Sequence, residues 1–217
     1  MVSELDNFSR EISNPSTIFN EFKHLMLLYN CALREVDTKL TILNDEFQVI
    51  HDHNPIEHIK SRIKTPESIV KKLKRKGFEI TAENMKTHIS DIAGIRVICS
   101  FTSDIYKIFE LITSQSDITL LKVKDYIKSP KPNGYRSLHL LVEVPVFLSE
   151  KTEPMKVEIQ IRTVAMDFWA SLEHKIHYKF EKTPPQYILD NLKLCADTVN
   201  ALDAEMLMLN EEIQKYK

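Results

Sequence analysis

Val157-Glu158-Ile159-Gln160-Ile161-Arg162-Thr163 alternates apolar and polar residues without a slip. A period of two reads as a β-strand, with Val157, Ile159 and Ile161 on one face and Glu158, Gln160 and Arg162 on the other. Such a strand belongs in a sheet that is packed on one side and polar on the other. The polar side here lines up a carboxylate, an amide and a guanidinium. Two readings follow: a solvated edge, or a surface above which something charged is held, because burying that row unpartnered costs desolvation.

The rest of the chain supplies the neighbours this strand needs. Residues 93–101, 118–127 and 136–147 read as further strands, and Ile56 to Lys64 as another, giving about five. Pro145 marks a bulge or an exposed edge. Asp104 to Gln115 carries Ile105, Ile108, Phe109 and Ile112 on one helical face, and a second helix runs from about Val164 to Phe180. Long helices flank this region. Ile18, Phe22, Leu25, Tyr29, Ala32, Val36, Leu40, Leu43, Phe47 and Ile50 recur at three- and four-residue spacings, up to the polar break at His51-Asp52-His53-Asn54-Pro55. After Pro184-Pro185, Ile188, Leu192, Cys195, Val199, Leu202, Met206, Leu209 and Ile213 form a heptad seam, which calls for a partner helix in this chain or another. The expected fold is α/β (α+β): a mixed sheet of about five strands flanked by helices. Its parts are an N-terminal helical arm (1–52), a central region (53–182) and a C-terminal helix (183–217), forming one structural domain.

Composition narrows the function classes. With 43% hydrophobic residues, 28% charged residues and a formal net charge of −2, the 217-residue chain is an ordinary globular sequence. It has no apolar run of membrane-spanning length and no secretory leader. Three scattered cysteines, Cys31, Cys99 and Cys195, suit a reducing cytoplasm. Only three glycines occur, so neither GxGxxG nor a Walker-type loop can be written. Any phosphate this chain binds must be held by cationic side chains and metal rather than by a glycine-rich nest.

Cations are concentrated where that requirement would put them. Lys60 to Lys76 holds eight, against the single acid Glu67. Lys60, Arg62 and Lys64 alternate along an extended segment. Thr65 can cap the helix that follows, and Pro66 suits its first turn. Lys72, Arg75 and Lys76 share a face of that helix. The segment is either a polyanion cradle or a solvated basic face. Asp91 stands at the mouth of the strand Ile95-Arg96-Val97-Ile98. With Glu158 it could supply the carboxylates a hard cation wants, although Asp91 also suits a turn or helix cap. Pro130-Lys131-Pro132-Asn133-Gly134 is a rigid turn that delivers Tyr135 to a loop–strand junction, where it could stack on a base or simply pack. Arg136 and His139 could reach phosphate or ribose. His51-Asp52-His53 and the Glu173, His174, His177 group lack the further ligands a metal centre needs, and read as ordinary histidines.

Taken together these residues resemble the synthetase domain of the Rel/Spo homologue family, and within it the single-domain small alarmone synthetases. The blocks that carry the resemblance are Ser61-Arg62-Ile63-Lys64, Ser68-Ile69-Val70-Lys71-Lys72, Asp91-Ile92-Ala93-Gly94-Ile95-Arg96, Asn133-Gly134-Tyr135-Arg136-Ser137-Leu138-His139 and Glu158 to Thr163. Asp167-Phe168-Trp169-Ala170 with Glu173-His174 fits too. The resemblance runs from about His53 to Phe180.

The resemblance implies a nucleotidyltransferase-like fold and GTP pyrophosphokinase activity. The β,γ-pyrophosphoryl group of ATP would pass to the ribose 3′-hydroxyl of GTP or GDP, giving pppGpp or ppGpp and AMP for the stringent response. Asp91 and Glu158 would hold Mg2+, with Glu158 a candidate base. Arg62, Lys64, Lys72, Arg75 and Arg96 would bind ATP. Tyr135 would stack on guanine, while Lys131, Arg136, His139, Gln160 and Arg162 line the acceptor side. Long relatives carry hydrolase and regulatory domains for which this chain has no room, so synthesis without dedicated hydrolysis is expected. A homo-oligomer, a tetramer by analogy, is also expected, with no DNA or membrane partner and with a nucleotide or RNA effector left open. Asp167 stands where some relatives carry an amide. Two other readings remain: a toxin-type pyrophosphotransferase acting on tRNA or adenine nucleotides, and a non-catalytic RNA-binding module using Lys60–Lys76.

Overall fold

The computed structural model describes residues 15–179 and 184–216. Five strands form one sheet in the order β1-β2-β5-β4-β3, where β1 is Ile56–Ile63, β2 Ala93–Cys99, β3 Thr119–Asp125, β4 Leu138–Phe147 and β5 Thr152–Thr163. Only β2 and β5 run parallel; every other pair is antiparallel. The alternating strand β5 therefore lies at the centre. The bulge-or-edge expectation for Pro145 resolves as an edge. β3 pairs with β4 only as far as Glu143, so the proline, which has no N–H, faces no ladder on that side.

Alternation sorts the sheet into two faces. Val157, Ile159 and Ile161 of β5, Ile95 and Val97 of β2, and Leu138, Leu140, Val142, Val144 and Val146 of β4 are buried in one core. Helix α1 (Pro15–Ile50) packs across β1, β2, β4 and β5 and adds Phe22, Leu25, Tyr29, Ala32, Val36, Leu40 and Phe47 to that core. Helix α4 (Thr102–Thr113) adds Ile105, Ile108 and Ile112.

Helix α2 (Pro66–Lys76) begins where the sequence places it. Thr65 caps it by accepting from the Ser68 N–H, Pro66 fills the first position, and Gly77 at φ +76° ends it. Ile69, Val70 and Leu73 point inward, which leaves the lysines and arginine outside. Helix α3 (Ala82–His88) is not legible in the sequence, because about two turns with a single buried residue, Met85, offer no repeat to detect. Helix α5 (Val164–Lys179) follows β5 directly; Thr163 Oγ accepts from the Met166 N–H at 3.1 Å and caps it. Helix α6 (Gln186–Gln214) lies against α5. Its inward stripe is Leu192, Ala196, Val199 and Asp203, while Leu194, Leu202, Met206, Leu209 and Ile213 are exposed. Among the described residues no helix is long and apolar enough to cross a membrane.

Candidate active site

Cross-strand register assembles the polar face of the sheet. Lys60 pairs with Arg96 and Arg62 with Gly94 between β1 and β2. Gly94 then pairs with Glu158, and Arg96 with Gln160, between β2 and β5. Gln160 pairs in turn with His139 on β4, and His139 with Lys124 on β3. Residues paired in this way project to the same side, so side chains from all five strands share one surface. A cleft of about 270 Å³ is lined by Lys60, Arg62, Asp91, Gly94, Arg96, Glu158 and Gln160. A neighbouring hollow of about 450 Å³ is bounded by Arg62, Arg96, Tyr135, Gln160, Arg162 and the middle of α5.

The two carboxylates paired on sequence grounds share the first cleft. Burial raises the proton affinity of Asp91, but the Lys72 and Lys64 ammoniums more than offset it and hold the carboxyl below the usual range. Lys64 Nζ stands 2.9 Å from Oδ2 and Lys72 Nζ 2.7 Å from Oδ1. Burial likewise pushes Glu158 up, while His139 and Gln160 pull it below its ordinary value against the repulsion of Asp91. Gln160 Nε2 donates to Glu158 Oε2 at 2.8 Å, and His139 Nδ1 lies 3.8 Å from Oε1. Both acids are therefore anions on one wall. Two carboxylates without a third protein ligand suit a divalent cation completed by phosphate oxygens and water. Consistently, no group of three or more His, Cys, Asp or Glu able to hold a metal occurs among the described residues.

The opposite end of the row is aromatic. Tyr135 leaves its loop beside Tyr126 and His139, with ring centroids 5.9 Å from each. Lys131 Nζ sits 4.6 Å from the centre of the Tyr135 ring. Behind Tyr135 lies a small apolar cluster of Trp169, Ala170 and Ala196. Trp169 Nε1 donates to the Leu192 carbonyl at 2.9 Å and fastens α5 to α6.

Not every expected residue joins this surface. Arg136 lines a crevice with Gly134, Met166, Trp169 and Ala196, and donates to the Ile127 carbonyl at 2.9 Å; it faces α6 rather than the clefts. Arg75 is exposed one turn beyond Lys72 and lines neither cleft. His53, from the His-Asp-His segment, bonds both oxygens of buried Asp104 at 3.1 Å. His177 lies where side chains are outside the described residues.

The structure also adds residues that sequence analysis passed over. Lys122 and Lys124, with His139 and Glu158, bound a third hollow of about 210 Å³. Their period-two spacing is the same signal that singled out Lys60, Arg62 and Lys64. Ser137 and Asp167 were legible only as motif positions, because the arginines they bond are brought to them by the fold of β2 and β5. One Asp167 oxygen accepts from Arg96 at 2.9 Å and from Arg162 at 3.1 Å.

Comparison with known proteins agrees with this architecture. Residues 61–183 match the model of a region found in RelA / SpoT proteins. The chain is 54% identical over 197 residues to GTP pyrophosphokinase YwaC of Bacillus subtilis, covering 91% of this chain and 94% of that protein. It is 34% identical to GTP pyrophosphokinase YjbM of the same organism, covering 90% and 91%. Among solved structures, small alarmone synthetase 2 from Bacillus subtilis matches with a TM-score of 0.81 at 51% identity, over 88% of this chain and 99% of that one. Small alarmone synthetase 1 from Bacillus subtilis, bound to its product pppGpp, matches with a TM-score of 0.82 at 34% identity, over 89% and 98%.

Proposed function

Because the chain belongs to the RelA/SpoT family, we propose that it is a (p)ppGpp synthetase, moving the pyrophosphoryl group of ATP to the ribose 3′-hydroxyl of GTP or GDP and releasing AMP. One observation carries the reading: Asp91 and Glu158, from different parts of the chain, share a cleft whose other walls hold Lys60, Arg62 and Arg96.

The reaction forms a bond from the 3′-oxygen to the β-phosphorus of ATP and breaks the bond from that phosphorus to the α,β-bridging oxygen. Such a transfer needs charge neutralisation and in-line positioning more than covalent help. Asp91 and Glu158 would hold Mg2+, which when bound offsets phosphate charge and fixes phosphate orientation. Lys64 and Lys72, now on Asp91, are within reach of a donor phosphate above it, and Arg62 and Arg96 extend the cationic wall. Tyr135 would take the guanine and leave the ribose toward Glu158, the carboxylate that would receive the hydroxyl proton. Because Glu158 is held below its ordinary value, its part as metal ligand is better supported than its part as base.

Incubation with ATP, GTP and Mg2+ should yield AMP and pppGpp, and Glu158→Gln should lower turnover by at least about a hundredfold. Label passing from ATP to tRNA with none on GDP or GTP would overturn the acceptor assignment. Robust synthesis by Glu158→Gln would overturn the catalytic one. We also propose a homo-oligomer, a tetramer by analogy, supported by the exposed apolar residues on the outer face of α6.

A further inference from the structure

The Arg162 guanidinium lies on the acceptor side, yet its bonding is directed inward. The residue is 4% exposed. Nε donates to Ser137 Oγ at 3.3 Å and Nη1 to Asp167 Oδ1 at 3.1 Å. Nη2 donates to Gln160 Oε1 at 3.0 Å and also to the Tyr135 hydroxyl. Most of the donor capacity of a guanidinium is thereby used within the chain, and little is left for a phosphate.

The partners also fit an internal role. Gln160 and Tyr135 are the residues the acceptor would meet, and Ser137 lies in the loop between Tyr135 and β4, its hydroxyl also within 3.3 Å of the Ile161 carbonyl on β5. Asp167, shared by Arg162 and Arg96, neutralises one of their two positive charges and occupies Nη1 of Arg162. Since arginine can only donate, the Tyr135 oxygen accepts from it and can still pair with His139 Nε2, 2.8 Å away. The tyrosine ring is thus fixed at its hydroxyl end by Arg162 and His139, and at its root by packing on the Trp169–Ala196 cluster.

We propose that Arg162 is a positioning residue: it holds the Tyr135 ring and the Gln160 amide in the orientation that receives the guanine nucleoside, and it does not bind the acceptor's phosphates. This rests on the acceptor reading given above. Preset geometry of this kind raises affinity by removing the ordering cost from the binding step.

The test compares guanosine, GMP, GDP and GTP binding to the full chain by calorimetry without ATP, in Arg162→Lys, Tyr135→Phe and the double variant. Lysine keeps the charge but lacks the planar five-donor fork that spans Ser137, Asp167, Gln160 and Tyr135 together. Arg162→Lys should therefore weaken all four ligands by one common factor of roughly tenfold, as expected for losing a charge-assisted hydrogen bond. Tyr135→Phe should match it, the double variant should be no worse than either, and affinity for a non-hydrolysable ATP analogue should stay unchanged. The proposal falls if the Arg162→Lys penalty grows with each added phosphate. It falls equally if Tyr135→Phe binds guanosine like the unaltered protein, or if ATP-analogue affinity drops in parallel. Should Arg162→Lys not fold, Tyr135→Phe decides alone. An unaltered protein that binds no guanine nucleoside would instead remove the acceptor reading itself, and this proposal with it.

Discussion

At the scale of single residues, a half-buried carboxylate, Asp91, and a buried one, Asp203, respond to acid in opposite directions. Asp91 is held below its ordinary value by Lys72 and Lys64 in spite of burial. Its contribution to stability is present above the unfolded value and is lost as pH falls through the lowered folded one. Asp203 on α6 is buried, and burial raises it, with the Thr163 hydroxyl at 2.6 Å pulling part of the way back. A raised carboxyl binds its proton more tightly in the folded state, so Asp203 favours folding increasingly as pH falls from neutrality through its raised value towards the ordinary carboxylate range. Thermal melts across pH should therefore separate the two. Asp203→Asn should flatten the gain on mild acidification, while Asp91→Asn should weaken the loss in stronger acid. Residue identities at the site were largely legible in the sequence, because alternation on β5 and the basic run announce themselves locally. Asp167 was legible only as a motif position. Its use, as the anion between two arginines, depends on a helix turning back over two strands.

At the scale of elements, the Tyr135 loop packs closely on α6. Gly134 has φ +87°, and a Cβ built there would lie 2.5 Å from the Ala196 Cβ. Gly134→Ala should then cost about 1–2 kcal/mol for the left-handed backbone, with a further penalty for the clash, and should weaken guanine-nucleotide binding as the loop is pushed off the helix. Pairing it with Ala196→Gly should recover the clash but not the backbone term; melting temperatures and nucleotide affinity of the single and double variants measure both. Full recovery would show that conformation at Gly134 is irrelevant. The expected elements occur close to their predicted bounds, since long stretches of period two or 3.6 survive any tertiary context. Helix α3 was missed for want of a period. The division of α6 into buried and exposed stripes was hidden too, because a heptad seam records that a helix has a partner face without saying how much of it this chain covers.

At the scale of the whole molecule, Leu202, Met206, Leu209 and Ile213 are each at least half exposed on α6, with exposed Leu27 and Ile42 on α1. A row of that kind is costly to leave in water. If the proposed homo-oligomer forms through this face, replacing Leu202 and Leu209 together by Glu should give monomers in light scattering, with secondary structure retained; an unchanged mass would remove this face from the proposed interface. The amino-acid sequence by itself determined the sheet, the flanking helices, the exclusion of glycine-rich phosphate loops and the family, all of which reside in local periodicity and short ordered motifs. Tertiary structure alone decided that β5 sits centrally beside β2 and β4, that Asp91 and Glu158 share a cleft, that Arg136 turns away from it, and that Arg162 spends its hydrogen bonds inside the protein. Those outcomes depend on strand order and register, which bring together residues far apart in the chain, and neither is encoded in any local spacing.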